Sequence, residues 1–374
     1  MTWMITGTGW HPRIFREEVR SMLGDFTPLH PRILEIKRGN PCQSMFSESS
    51  FLLEDAAVVP MHEKKIPDFL ERWGSKLDFN GPFAVRATKM GLGIPNLSKR
   101  KMEELVGRHF FEMGNSVDLV NPKTTIRAII AGAPDKPQHL DSMHAEPMLV
   151  IGVERNPRKP YMDKAMTSMP FFRPVTLDPK LASLLISLSH HDGKAPEQII
   201  DPFCGTGCIS MQARLRGIPT LSSDLDITMV NGAKENFAYV FDDDCIDYPF
   251  VAMDVSRISA HWGRRSNTAF IFDPPYARNS RTSGEAYQVF ESACKAAMEI
   301  DPCGSLVTIL PSSDLEVLND LEISNDAEVL GRSWGDVNRM LSDLGWMADI
   351  AIPTRVHASL VRIVVRARGI GNQN

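Results

Sequence analysis

From about residue 196 onward the chain repeats one pattern: a short apolar run, a turn rich in Gly, Pro or Asp, then a segment whose apolar positions recur every three or four residues. Ile199 and Ile200 lead into Asp201-Pro202-Phe203-Cys204-Gly205-Thr206-Gly207, and residues 208–215 then have helical spacing up to Gly217. The pattern predicts a strand, a Gly-rich turn and a helix. It recurs as a strand over 218–223 closed by Asp224-Leu225-Asp226, with a helix over 229–236. Further strands are predicted over 249–253, closed by Asp254, and over 269–272, closed by Asp273-Pro274-Pro275-Tyr276. A helix over 285–300, a strand over 304–310, a helix over 334–344 and strands over 345–352 and 360–367 complete this half. Alternation of this kind predicts an α/β domain built on a largely parallel sheet.

The first half is less regular. Residues 15–23 are polar with helical spacing, 32–36 read as a strand, and 51–59 are apolar at several positions without a clean period. Residues 1–60 therefore read as a small α+β lead-in with no chemistry of its own. Over 61–155 the order is helix (66–73), strand (83–88), helix (99–108, behind the capping residue Ser98), strand (121–130) and strand (148–153). The polar, Pro-rich stretch from Arg155 to Pro160 marks a linker, placed over 156–170, ahead of a domain spanning 171–374.

Composition narrows the function without naming it. The 374 residues are 43% hydrophobic and 23% charged, with a net charge of -5, so any nucleic-acid contact must come from local basic patches rather than bulk charge. No apolar run approaches the length of a membrane span and the start lacks a signal-peptide pattern, so a cytoplasmic protein is expected. The six cysteines, Cys42, Cys204, Cys208, Cys245, Cys294 and Cys303, form no Cys-x-x-Cys pair and no zinc-type spacing with histidine, and are expected to stay reduced with no metal bound.

Two of the turns carry candidate chemistry. Gly205 and Gly207 permit a tight turn and a close ligand approach, and the amides at the start of the following helix can receive an anionic group. The spacing differs from the dinucleotide GxGxxG pattern and no Lys-Ser/Thr pair follows, which disfavours a pyrophosphate or triphosphate. Asp224, roughly 20 residues further on, stands where a carboxylate accepts hydrogen bonds from ribose hydroxyls, so a ligand containing a nucleoside is expected. Taken singly, the Gly-rich turn suits any doubly wound sheet and Asp-Pro-Pro-Tyr suits a surface turn. Their order, with Asp224 between them, is the specific feature.

Together, Asp201 to Gly207 and Asp273 to Tyr276 resemble the first and fourth motifs of the S-adenosylmethionine-dependent methyltransferases. The resemblance implies a Rossmann-like, seven-stranded domain. It places Asp201, Phe203, Gly205, Gly207, Asp224, Leu225 and Asp254 around the cofactor S-adenosyl-L-methionine, Asp254 towards the adenine amino group. The Asp-Pro-Pro-Tyr form implies methylation of an exocyclic amino nitrogen on a nucleobase. Such an amine has its lone pair delocalised into the ring; the Asp273 carboxylate and Pro274 carbonyl can each accept one N–H and aim the lone pair outward. Tyr276 offers a stacking face for the base, worth about 1–3 kcal/mol. Arg278 and Arg281, in the polar loop that follows, are candidates for phosphate contacts.

Residues 61–155 resemble the THUMP domain, an RNA-binding module of tRNA-modifying enzymes, through Phe83 to Arg86, the capped helix from Ser98 to Gly107, Val117 to Pro122 and the strand from Leu149 to Gly152. The resemblance makes Arg86, Lys89, Lys99, Arg100 and Lys101 candidate phosphate partners, although Lys99 to Lys101 also suits a solvated helix start. The stretch Thr354-Arg355-Val356-His357-Ala358-Ser359-Leu360-Val361-Arg362 resembles the ending of archaeal enzymes that make N2-methylated guanosine-10 in tRNA. His357 is then read as a structural or RNA-contacting residue in preference to a general base. The implied activity is methylation, once or twice, of the N2 amine of a guanosine in tRNA, by a monomer, with a small accessory protein left open. Alternatives from the same motifs are methylation of guanine N2 in ribosomal RNA and of adenine N6 in DNA; from another class, an RNA-binding protein with a degenerate cofactor pocket.

Overall fold

The computed structural model describes residues 2–7, 11–37, 41, 46–77, 81–133, 146–155, 166–174, 176–241, 250–275, 283–319, 322–357 and 360–371. It contains two compact units, one made of residues 1–16, 25–44 and 48–158 and the other of residues 17–24, 45–47 and 159–374.

The first unit is built on a seven-stranded sheet in the order β2-β3-β1-β4-β7-β6-β5. Its strands are β1 (Trp3–Gly7), β2 (Phe26–His30), β3 (Ile33–Ile36), β4 (Ser49–Val59), β5 (Phe83–Met90), β6 (Thr124–Ala131) and β7 (Met148–Arg155); the chain's first helix, α1, spans Pro12–Leu23. A boundary at residue 60 is therefore not a boundary in the fold. β4 pairs antiparallel with β7, from Leu52 opposite Arg155 to Val59 opposite Leu149, so the expected lead-in and the segment after it share one sheet. Between β5 and β6, which run parallel, α3 (Lys99–Glu112) makes the crossover. Ser98 caps it, its side chain accepting from the Lys101 amide at 3.1 Å, which satisfies one of the amides a helix start leaves open. α2 (Ile66–Gly74) and α3 cover one face, where Trp73 and Phe83 each meet the edge of Phe110, at centroid separations of 6.0 and 5.9 Å.

In the second unit the strands are β8 (Gln198–Asp201), β9 (Thr220–Asp224), β10 (Phe250–Ala252), β11 (Thr268–Phe272), β12 (Ser305–Ser312), β15 (Trp346–His357) and β16 (Leu360–Gly369); β13 (Glu328–Val329) and β14 (Arg332–Ser333) form a separate hairpin. The helices are α4 (Pro179–Leu188), α5 (Cys208–Leu215), α6 (Ile227–Phe241), α7 (Ile258–Trp262), α8 (Ser283–Ile300) and α9 (Trp334–Asp343). The sheet order is β10-β9-β8-β11-β12-β16-β15. Five strands are parallel, as alternation with helices requires, and β16 enters antiparallel between β12 and β15. All five residues of β11 are buried, the continuous apolar run expected of a strand covered on both faces. Behind it, Phe270 meets the edge of Trp346 at 6.1 Å, and the Trp346 indole donates to the Cys294 carbonyl at 3.0 Å.

The strand order reverses between β8 and β11. In an open α/β sheet that reversal leaves a crevice beyond the carboxyl ends of the two strands, because their crossover helices lie on opposite faces. The Gly-rich turn leaves β8 and the Asp-Pro-Pro turn leaves β11, so both open into it.

Candidate active site

The Gly-rich turn is held by its own backbone and by β9. The Cys204 amide donates to the Ser223 carbonyl at 2.8 Å, the Gly207 amide to the Cys204 carbonyl at 2.8 Å, and the Gly205 amide to Asp224 Oδ2 at 3.0 Å. Both glycines are left-handed, with φ of +51° at Gly205 and +85° at Gly207, a conformation other residues adopt only with strain. Their surroundings differ. A Cβ on Gly207 would stand 3.1 Å from the Ala233 Cβ on α6, whereas one on Gly205 would meet nothing nearer than the Phe203 carbonyl oxygen at 3.9 Å. Gly207 is thus needed for packing, whereas Gly205 has room beside it.

Asp201, at the end of β8, is 1% exposed. Its Oδ1 accepts from the Phe203 amide at 3.1 Å, while Oδ2 is buried with no partner among the described residues. Burial pushes this carboxyl well above the usual carboxylate range against the pull of the Phe203 amide, and the carboxylates of Asp224 and Asp273 add to the rise. Burial also raises Asp224, opposed by the amides of Asp226 and Gly205 that donate to it. A folded state that holds a proton the unfolded chain has lost is destabilised as pH rises from the ordinary carboxylate range towards the raised value. In the ligand-free protein, unfolding free energy is therefore expected to fall with pH over that window, and Asp201→Asn to flatten the slope in denaturant titrations at several pH values; equal slopes would mean that Asp201 is ionised in the fold.

The segment before α4 is locked to the same turn. Asn236, fully buried on α6, accepts from the Phe171 amide at 2.9 Å and donates to the Phe171 carbonyl at 2.8 Å and the Thr206 carbonyl at 3.0 Å. The Phe171 ring lies where a Cβ on Gly232 would be, and the Arg173 guanidinium stacks on that ring at 4.6 Å. The sequence pattern had not singled out Asn236 or Phe171; an asparagine inside a helix, where its propensity is poor, was the available signal.

The other expected residues fall as follows. Phe203 is half-buried, edge-on to Phe272 at 5.5 Å, and Leu225 is 60% exposed beside Asp224. Asp254 caps a turn, its Oδ1 accepting from the amide and hydroxyl of Ser256 at 2.9 and 2.7 Å. Asp273 follows β11, its Oδ2 3.3 Å from Nη1 of Arg362, and Pro274 is buried. Tyr276, Arg278 and Arg281 lie outside the described residues, as does the side chain of His357. In the first unit, Arg86 on β5 donates to the Leu119 carbonyl, and Arg100 on α3 pairs with Glu104 at 2.7 Å. Lys89 and Lys99 are exposed and Lys101 is half-buried. Among the described residues no cluster of His, Cys, Asp or Glu could hold a metal ion, and no helix is long and apolar enough to cross a membrane.

Against known proteins, residues 167–324 match UPF0020, the RMKL-like methyltransferase domain, a span that contains the Gly-rich turn, Asp224 and the Asp-Pro-Pro turn. This segment is similar to a methyltransferase domain. Over 207 residues the chain is 32% identical to the tRNA (guanine(10)-N2)-dimethyltransferase of Methanothermobacter thermautotrophicus, an alignment covering 54% of each protein. It is 26% identical to the Pyrococcus abyssi protein of the same description, over 70% of this chain and 72% of that one. The crystal structure of TrmN from Thermus thermophilus aligns over 98% of this chain and 100% of its own at 17% identity, with a TM-score of 0.49.

Proposed function

We propose that the chain transfers methyl from S-adenosylmethionine to the exocyclic N2 amine of a guanosine in tRNA. The single observation behind this reading is the placement of Asp273 and Pro274 at the end of β11, beside the Gly-rich turn at the end of β8, where the strand order reverses. The methyltransferase-domain match supports the chemistry, and the descriptions of the archaeal relatives support position 10 of tRNA and transfer of two methyls.

The residues present fit the cofactor. Gly205 has open space above it, Asp201 offers a buried carboxyl oxygen, and Asp224, already fixed by two backbone amides, keeps lone pairs for ribose hydroxyls. Phe203 and Leu225 supply apolar flanks. Bound there, S-adenosylmethionine supplies an electrophilic methyl carbon on a sulfonium. Asp273 and the Pro274 carbonyl accept the two N–H bonds of the amine, draw it towards tetrahedral geometry and expose its lone pair. The new N–C bond would form as the methyl–sulfur bond breaks, its electron pair remaining on sulfur as a neutral thioether, and Asp273 would receive the proton that the nitrogen sheds. Proline fixes the backbone φ and so the direction in which the carbonyl points.

The tRNA would be gripped by the first unit, resembling THUMP, with Lys89 and Lys99 as the better phosphate partners; Arg86 and Arg100 are engaged within the protein. Radiolabel transfer to unmodified tRNA, ribosomal RNA and duplex DNA tests the reading. Incorporation into tRNA alone is expected; incorporation only into DNA or ribosomal RNA would leave a methyltransferase with a different acceptor.

A further inference from the structure

Asp273 stands close enough to Asp201 for its carboxylate to act on it, as that of Asp224 does. A carboxylate meant to receive N–H bonds must hold one rotamer. Arg362 is placed to hold it. It lies on β16, opposite Pro311 of β12, while β11 ends with Phe272 opposite Thr308 of the same strand. The arginine therefore reaches past β12 at the edge of the sheet into which the Asp-Pro-Pro turn opens. Its Nη1 is 3.3 Å from Asp273 Oδ2, with the two side chains only 12% and 17% exposed.

Resting on the proposed function above, we infer that Arg362 is a positioning residue for methyl transfer, which holds Asp273 Oδ2 so that the carboxylate presents its acceptor edge to the target amine. The fold supplies the reason. β16 is the antiparallel strand inserted beside β12, and only that insertion brings a side chain from residue 362 to residue 273. Low exposure gives the pair an energetic role that a surface pair lacks, because solvent screens it less. Acting through Asp273, Arg362 should affect the rate of transfer and not the binding of either substrate.

A double-mutant cycle on the full chain tests this, with single-turnover rate, cofactor dissociation constant, tRNA dissociation constant and melting temperature measured for each variant. Misplacement of a reacting group by about an ångström can slow a reaction about 10²-fold, and Arg362→Met is expected to lose turnover on that scale with both dissociation constants unchanged. Arg362→Lys, which restores a point charge without the planar fork, should recover part of the loss. In the Asp273→Asn background, Arg362→Met should cost little further rate, because the group it acts through is already gone. That background also removes the negative charge left beside the methionine, so the double variant keeps the test open if Arg362→Met alone does not fold. Equal losses in both backgrounds, or a loss carried by weaker tRNA or cofactor binding, would overturn the inference. No transfer by the wild type to any acceptor would instead sink the functional reading on which it rests.

Discussion

Asp273→Ala is expected to lower the rate of methyl transfer by about 10²- to 10⁴-fold, the usual worth of a positioned acid–base group, while the protein still binds S-adenosylmethionine. The separation of the two effects follows from the topology. The Gly-rich turn and Asp224 sit at the ends of β8 and β9, and Asp273 at the end of β11. Alanine also removes one partner of Arg362, the carboxylate at 3.3 Å, so some loss of stability is expected as well. Asp273→Asn keeps the shape and one acceptor oxygen, and should fold better while remaining impaired, because its amide group donates where the carboxylate accepts. Cofactor titration alongside single-turnover rates checks this; transfer at the wild-type rate in either variant would remove Asp273 from the chemistry.

The second large effect separates the two glycines of the turn. Both need left-handed backbone, so alanine at either costs about 1–2 kcal/mol in strain. At Gly207 the new Cβ also meets Ala233 at 3.1 Å, and stability should fall further. At Gly205 the Cβ enters open space on the ligand side, so Gly205→Ala should melt closer to the wild type yet bind S-adenosylmethionine at least about tenfold more weakly, a change of about 1.4 kcal/mol. Calorimetric binding and thermal melts on the two variants decide the matter. Undiminished cofactor affinity in Gly205→Ala would mean that the space above Gly205 is not the cofactor site.

Most of the parallel half of the second unit could be read from its sequence because its elements declare themselves locally. β11 is apolar from Ala269 to Phe272, and the turns after β8, β9 and β11 carry the candidate residues. β4 shows the opposite situation. Its period is mixed because the register shifts between Glu54 and Ala57, where Asp55 takes a φ of +47° and its carbonyl accepts from the Trp73 indole at 2.7 Å. Nothing in the run announces that irregularity, and the strand's membership of one sheet with β7 depends on pairing across nearly a hundred residues, which is why residues 1–60 read as a separate lead-in. Arg362 was visible within a recognised stretch but without a role. Its approach to Asp273 depends on β16 entering the sheet beside β12, a non-local choice that no spacing encodes. Asn236 likewise gains its three partners only when α6 meets the segment at Phe171 and the turn at Thr206.

The central claim is that the acceptor is an exocyclic N2 amine, and inosine tests it directly because it is guanosine without that amine. Two tRNA transcripts, one with guanosine and one with inosine at position 10, the position described for the archaeal relatives, would be incubated with the protein and S-adenosylmethionine and digested for nucleoside mass spectrometry. N2-methylated guanosine is expected from the first transcript and no methylation at that position in the second. Methyl on the inosine, or on adenosine in either transcript, would contradict the claim.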